Sequence, residues 1–206
     1  CQVGIPAGIQ STVINFSNAL LQSSVNSFGS TTMAGYTAAN NIFGFLYVSV
    51  NAITQACMSF TSQNYGLRKL KRMDKILMDC LILTVIVSLV LGGGVYLFGA
   101  EILRLYTEEA EVIRCGIEIF AYTTVTYFLC GIMDLFPGAL RGMDRSTVPM
   151  ILSVIGTVGT SIVWVFWLFP AHRSLAFLFI SYPASWLITI VMQVICFYFV
   201  RRKVHG

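Results

Sequence analysis

Ser11, Asn15, Asn18, Gln22 and Asn26 recur at intervals of four, three, four and four residues. Asn40, Gly44, Tyr47, Asn51 and Gln55 repeat that spacing in the next segment. On an α-helix each set falls along one narrow face. The chemistry offered there is hydrogen bonding without formal charge, because an amide both donates and accepts. Turned towards acyl chains such groups are unfavourable, so both faces look at protein or at water. Interhelical hydrogen bonding is one use for them; lining a hydrated cavity is the other. Two full-length stripes on consecutive helices exceed what packing requires, which favours a cavity. A shorter stripe, Tyr182, Trp186, Thr189 and Gln193, is expected to join helices instead.

Asp134 is the carboxylate expected at depth in an apolar stretch, and an acid so placed is a functional candidate by default. Two roles fit it. It takes part in ion coupling, or it anchors the end of its helix with Arg141 as partner across a bend at Pro137. Enzyme chemistry finds no support. His172 and His205 fall outside the apolar runs, so no nucleophile–base pair or H-E-x-x-H motif forms within them. "LGGGVYLFG" lacks the Lys-Ser or Lys-Thr of a phosphate loop. Glu101, Glu108, Glu109 and Glu111 have no neighbouring His or Asp cluster and read as a solvated amphipathic stretch. The six cysteines (Cys1, Cys57, Cys80, Cys115, Cys130 and Cys196) contain no C-x-x-C pair, and disulfides are not expected. No catalytic residue, metal site or cofactor is therefore assigned.

The elements that must position these residues follow from composition. Of 206 residues, 56% are hydrophobic and 11% charged, with a mean hydropathy of +0.77. A soluble domain carries about 25% charged residues. The bilayer is the solvent that suits such a chain, and six stretches approach the ~20 residues that cross hydrocarbon. They run over 5–27, 36–60, 77–99, 112–137, 147–169 and 175–199. Pro137 and Pro183 are expected to bend or end the fourth and sixth. Gly92, Gly93, Gly94, Gly156 and Gly159 are expected to let helices approach closely.

Charge fixes the orientation. No Lys, Arg, Asp or Glu precedes Arg68, and then Arg68, Lys69, Lys71, Arg72 and Lys75 follow within eight positions. With six spans this cluster shares a side with Arg141, Arg145, Arg201, Arg202 and Lys203. Ten basic residues stand there against three (Arg104, Arg114 and Arg173) opposite. The excess puts both ends of the segment in the cytoplasm. The net charge of +4 is segregated in this way, without the basic and aromatic stripe that tracks nucleic acid. The chain opens on Cys1 and reads as a piece of something longer.

The segment "GIPAGIQSTVINFSNALLQSSVNSFGSTTMAGYTAANNIFGF" resembles the start of the second half of multidrug and toxic compound extrusion (MATE) transporters. "SFTSQNYG" is similar to the family's motif at the cytoplasmic end of the eighth helix. "FPGALRGMDRSTVPM" is similar to the one between the tenth and eleventh. Gln63, Asn64, Tyr65 and Gly66 then correspond to a helix-ending turn into a basic loop. The resemblance implies an all-α integral membrane protein, a twelve-helix transporter of two six-helix lobes. This chain, residues 1–206, would be the C-terminal lobe, without the N-terminal one.

It further implies export of organic, often cationic, compounds in exchange for Na⁺ or H⁺ across the cell membrane. The site lies between the lobes near the bilayer midplane. The substrate cavity would then take Asn15, Asn18, Gln22, Asn26, Asn40, Tyr47, Asn51 and Gln55 as lining. Some branches of the family carry a cation-binding carboxylate at positions matching Ile14 or Asn15 and Cys130, where this chain has none. Partners implied are membrane lipid, small organic substrates and the N-terminal lobe. Two alternatives remain: a related exporter of lipid-linked oligosaccharide, whose cavity is strongly basic, and a non-transporting membrane scaffold subunit.

Overall fold

The 37 residues from Ser30 to Gly66 form one helix, longer at both ends than the apolar pattern suggests. At 1.5 Å per residue it extends about 55 Å, well beyond the ~30 Å of bilayer hydrocarbon. The computed structural model describes residues 4–171 and 173–205, with side chains at all of these except 4–7, 14 and 203–205. Cys1, His172 and the side chains of Ile14, Lys203 and His205 therefore lie outside the described part.

The elements are α1 (Gly4–Asn26), α2 (Ser30–Gly66), α3 (Leu70–Arg104), α4 (Ala110–Thr123), α5 (Tyr127–Gly142), α6 (Thr147–Leu168) and α7 (Leu175–His205), with no strand among the described residues. Helices α2, α3, α6 and α7 are each long and apolar enough to cross a membrane, and α4 with α5 makes a fifth, bent span. Helix α1 has the length, 23 residues, and carries no charge, but its amides lower its apolarity. A helix with one face reserved for protein or water is expected to look like this. Asp79 sits in the first part of the third apolar run and is exposed, so the charge-free part of that span begins at Cys80.

The fourth run is not one helix. It breaks over Thr124–Thr126, and α4 and α5 meet at 54°. Thr124 Oγ1 donates to the Phe120 carbonyl (2.6 Å), and Thr126 Oγ1 donates to those of Tyr122 (3.1 Å) and Thr123 (3.2 Å). Hydroxyls that take up backbone acceptors in this way bend helices. Pro137 and Pro183, by contrast, lie inside helices that continue past them. The bend expected at Pro137 falls eleven to thirteen residues earlier. In both cases neighbouring helices supply the packing that tolerates an interior proline.

Glycine admits the elbow. A Cβ on Gly92 would lie 2.8 Å from the Thr124 carbonyl oxygen, so α3 passes directly beneath the break. On α6 a Cβ at Gly156 would collide with Thr189 of α7, whereas Gly93, Gly94 and Gly159 face open space. The backbone of α6 widens into π-helical turns over Val154–Gly159 and Trp164–Leu168.

The two basic turns share one design. After α2, Lys69 N–H bonds to the Asn64 carbonyl (2.9 Å) and Arg68 N–H to that of Tyr65 (3.0 Å). After α5, Arg145 N–H bonds to the Leu140 carbonyl (2.9 Å) and Asp144 N–H to that of Arg141 (3.0 Å). Each is a Schellman ending, with Arg68 (φ 52°) or Asp144 (φ 59°) in the left-handed position that glycine usually takes.

Leu21, Ala39, Leu46, Val50, Phe120 and Phe179 are among the buried residues of the main core. A smaller cluster of Met73, Leu140 and Met143 closes the end with the basic turns, with Phe197 and Val200 packed against it. Asp74 and Arg201 join α3 to α7 at that end through a bidentate ion pair, the one ion pair among the described residues.

Candidate functional site

A cavity of about 530 Å³ lies among α1, α2, α4, α5, α6 and α7. From the sequence stripes it takes Ser11, Asn15 and Asn18 of α1 and Asn40, Gly44 and Tyr47 of α2. The remaining stripe residues are not part of this lining. Gln22, Asn26 and Gln55 are exposed, and Asn51 is half-buried with its amide nitrogen 3.4 Å from Tyr47 Oη. The two stripes meet at this cavity, and nearly all their residues are exposed.

The opposite wall is aromatic. Phe43 stacks on Tyr127 (centroids 5.9 Å apart), and Tyr127 meets Trp186 edge to face (6.1 Å). Trp186 lies 6.0 Å from Tyr182, which stacks on Phe179 at 6.1 Å. Tyr36 continues the row, 6.0 Å from Phe179 and with its hydroxyl 3.4 Å from that of Tyr182. This wall draws on α2, α5 and α7, and only Tyr182 and Trp186 stood out in the sequence. Regular aromatic spacing within any one helix is weak, so no local signal marks the rest.

Asp134 lines the same cavity and carries its only formal charge. Its carboxylate interacts with the Tyr47 hydroxyl. Arg141 makes no direct ion pair with Asp134, although its charge acts on it through space; Arg141 Nη2 donates to Gln10 Oε1 of α1. Because α5 continues through Pro137, residues 134 and 141 stand two turns apart, about 10 Å along the axis. Cys130, one turn before Asp134 and at the position where the resemblance would put an acid, is a free thiol that also lines the cavity.

The third polar stripe behaves differently. Gln193 and Thr189 are fully buried. Gln193 Nε2 donates to the Pro149 carbonyl (2.8 Å) and to Ser153 Oγ (3.0 Å) across the α6–α7 contact. Of the basic residues expected to set orientation, Arg68, Lys69, Lys71, Arg72, Lys75 and Arg202 are exposed, while Arg201 is engaged with Asp74.

An apolar helical bundle that gathers amides, aromatic rings and one carboxylate around an open cavity is a multi-pass membrane protein equipped to meet a solute. The MatE family model matches residues 6–167, and the chain belongs to that family, whose members are transporters and not enzymes. It is 23% identical over 204 residues to the probable multidrug resistance protein YoeA of Bacillus subtilis, covering 98% of this chain and 44% of that protein. It is 20% identical over 154 residues to the multidrug export protein MepA of Staphylococcus aureus, covering 75% of this chain and 34% of that protein.

Among solved structures, the Vibrio cholerae MATE transporter VcmN in its bent form superposes with a TM-score of 0.83 at 17% identity, covering 98% of this chain and 46% of VcmN. A Pyrococcus furiosus transporter of the MOP superfamily, whose binding pocket is described as having reverse polarity, gives a TM-score of 0.76 at 17% identity, covering 97% of this chain and 43% of that one. The chain thus spans less than half the length of the relatives it matches.

Proposed function

We propose that this chain forms one lobe of a secondary active transporter that exports small organic cations across the cell membrane in exchange for Na⁺ or H⁺. Both ends of the segment face the cytoplasm in this reading. The observation that carries it is the cavity with an aromatic wall and Asp134 as its one formal charge. A cation over an aromatic face gains about 0.5–2 kcal/mol, more as water is excluded. A single acid then gives the site its sign.

An exporter of lipid-linked oligosaccharide would need cations for the phosphates, and the cavity lining contains no Lys or Arg. A scaffold subunit would need no such cavity. The amide stripes on the open side fit a second six-helix lobe that closes the cavity, and alternating access needs two bundles rocking about a shared site.

The test is efflux from cells stripped of their own pumps. Expression of the chain joined to a second six-helix lobe, as in the full-length transporter, should lower accumulation of ethidium, an organic cation, and leave an anionic dye unaffected. Asp134→Asn should abolish that export while the amount of folded protein stays the same. Export of both dyes alike, or unchanged ethidium export by Asp134→Asn, would overturn the proposal.

A further inference from the structure

Helix α5 has a second open side. Asp134 and Cys130 face the cavity, whereas Ile132 and Phe136, half a turn away, floor a separate groove of about 500 Å³. Ile82 and Ile86 of α3 form one wall, and Ile190 and Val194 of α7 the other. Every lining side chain is aliphatic or phenyl. Both α3 and α7 pack on α5, which forms the floor between them. At the end with the basic turns the walls close, through the cluster around Met73 and the Asp74–Arg201 pair.

Charge sits in register with this groove. Lys71, Lys75, Ile82 and Ile86 follow at intervals of four, seven and four, one stripe along α3. Lys75 therefore stands about 10 Å from Ile82 and about 16 Å from Ile86 along the axis. Half the hydrocarbon thickness is about 15 Å, so a chain in the groove would have its headgroup beside the two lysines. Both lysines are exposed, and neither has an ion pair among the described residues. Two acids lie nearby: Asp74 is already neutralised by Arg201, and Asp79, exposed one turn beyond Lys75, offsets part of the lysines' charge.

We propose that this groove is a binding site for an anionic phospholipid, with an acyl chain against Ile132 and Phe136 and its phosphate on Lys71 and Lys75. Wholly apolar walls take a hydrocarbon chain; a partner helix, which pairs its own backbone groups, would fit them too but makes no use of the two lysines. Juxtamembrane lysines draw anionic headgroups over zwitterionic ones. The bound lipid backs the helix that presents Asp134 to the cavity. The inference is independent of what the cavity carries.

The purified protein, stripped of lipid, is titrated with phosphatidylglycerol and with phosphatidylcholine of the same chains, each carrying a photoreactive diazirine on one acyl chain. Phosphatidylglycerol should label residues 81–86, 132–136 and 190–194 at lower concentration than phosphatidylcholine. Two lysines offset by Asp79 leave a net of one charge, which corresponds to a preference of about fivefold. Lys71→Gln with Lys75→Gln should erase that preference and leave labelling by phosphatidylcholine unchanged. Ile132→Trp, which fills the groove and spares the lysines, should abolish labelling by either lipid. Equal labelling by the two lipids, label spread evenly to Leu89 and Val90, or disulfide formation between copies through Ile86→Cys would each overturn the proposal.

Discussion

The side-chain amide of Gln193 donates a 2.8 Å hydrogen bond to the backbone carbonyl of Pro149, forty-four positions earlier. With its second bond to Ser153 Oγ it makes the contact between α6 and α7 polar at its centre. Replacing Gln193 with Leu keeps the volume but leaves both acceptors without it. Such interhelical bonds contribute about 0.6 kcal/mol on average and up to ~1.7 kcal/mol. Gln193→Leu should lower the melting temperature of the detergent-solubilised protein, and Gln193→Ala should lower it further by adding a void. Neither should change the ratio of cationic to anionic dye exported.

The glycines at helix crossings predict two kinds of epistasis. Gly156→Ala meets a side chain, Thr189, so Thr189→Ala should recover most of the ~1–3 kcal/mol lost to overpacking. Gly92→Ala meets the backbone carbonyl of Thr124, which no side-chain truncation removes. The single variants should both unfold earlier on heating, and only the first should have a rescuing partner.

Left-handed backbone at Arg68 and Asp144 leaves stability unused. An L-residue there is disfavoured by roughly 1–2 kcal/mol relative to glycine, although Asp tolerates the position better than most. Arg68→Gly should therefore raise the melting temperature more than Asp144→Gly. An equal or negative shift in both would mean that these side chains have stabilising partners at the membrane surface.

Orientation and cavity are open to cysteine labelling in a cysteine-free background. Position 71 should react with an impermeant reagent only after permeabilisation, and position 109 without it. Cysteines at Asn18, Asn40 and Tyr47 should react with small aqueous thiol reagents, while those at Leu20 and Ile53 should stay inert. Equal reactivity on both faces would speak for helix joining rather than a hydrated path.

Much of this architecture was legible because a membrane imposes long-range order on local composition. Uncharged runs mark spans. Regular spacing of amides marked the faces of α1 and α2, and six of those stripe residues line the cavity. What stayed hidden depends on the third dimension. The run "AYTTVTYF" contains no charge, Pro or Gly to mark a helix end, and the hydroxyl bonds of Thr124 and Thr126 to their own helix reveal the break. The aromatic wall is assembled from three helices whose mutual rotation no periodicity encodes. Pro137 misled because a proline's effect depends on what surrounds it, and here α5 continues to Gly142. Arg141, on the last turn of that continuous helix, donates to Gln10 of α1.

The elbow at Thr124–Thr126 also bears on how the protein is made. Helix α4 has 14 residues and α5 has 16, so they reach about 21 and 24 Å, each short of the hydrocarbon's ~30 Å. Neither can leave the translocon as a stable span by itself. The two halves must partition into lipid as one unit, and the elbow stays uncovered until it docks on α3, already made, at Gly92. The nascent chain is then most vulnerable to quality control in the interval when this bent pair is made but not yet docked. A lesion at Gly92 would lengthen that interval, and loss of the protein in the cell would exceed what its melting temperature foretells.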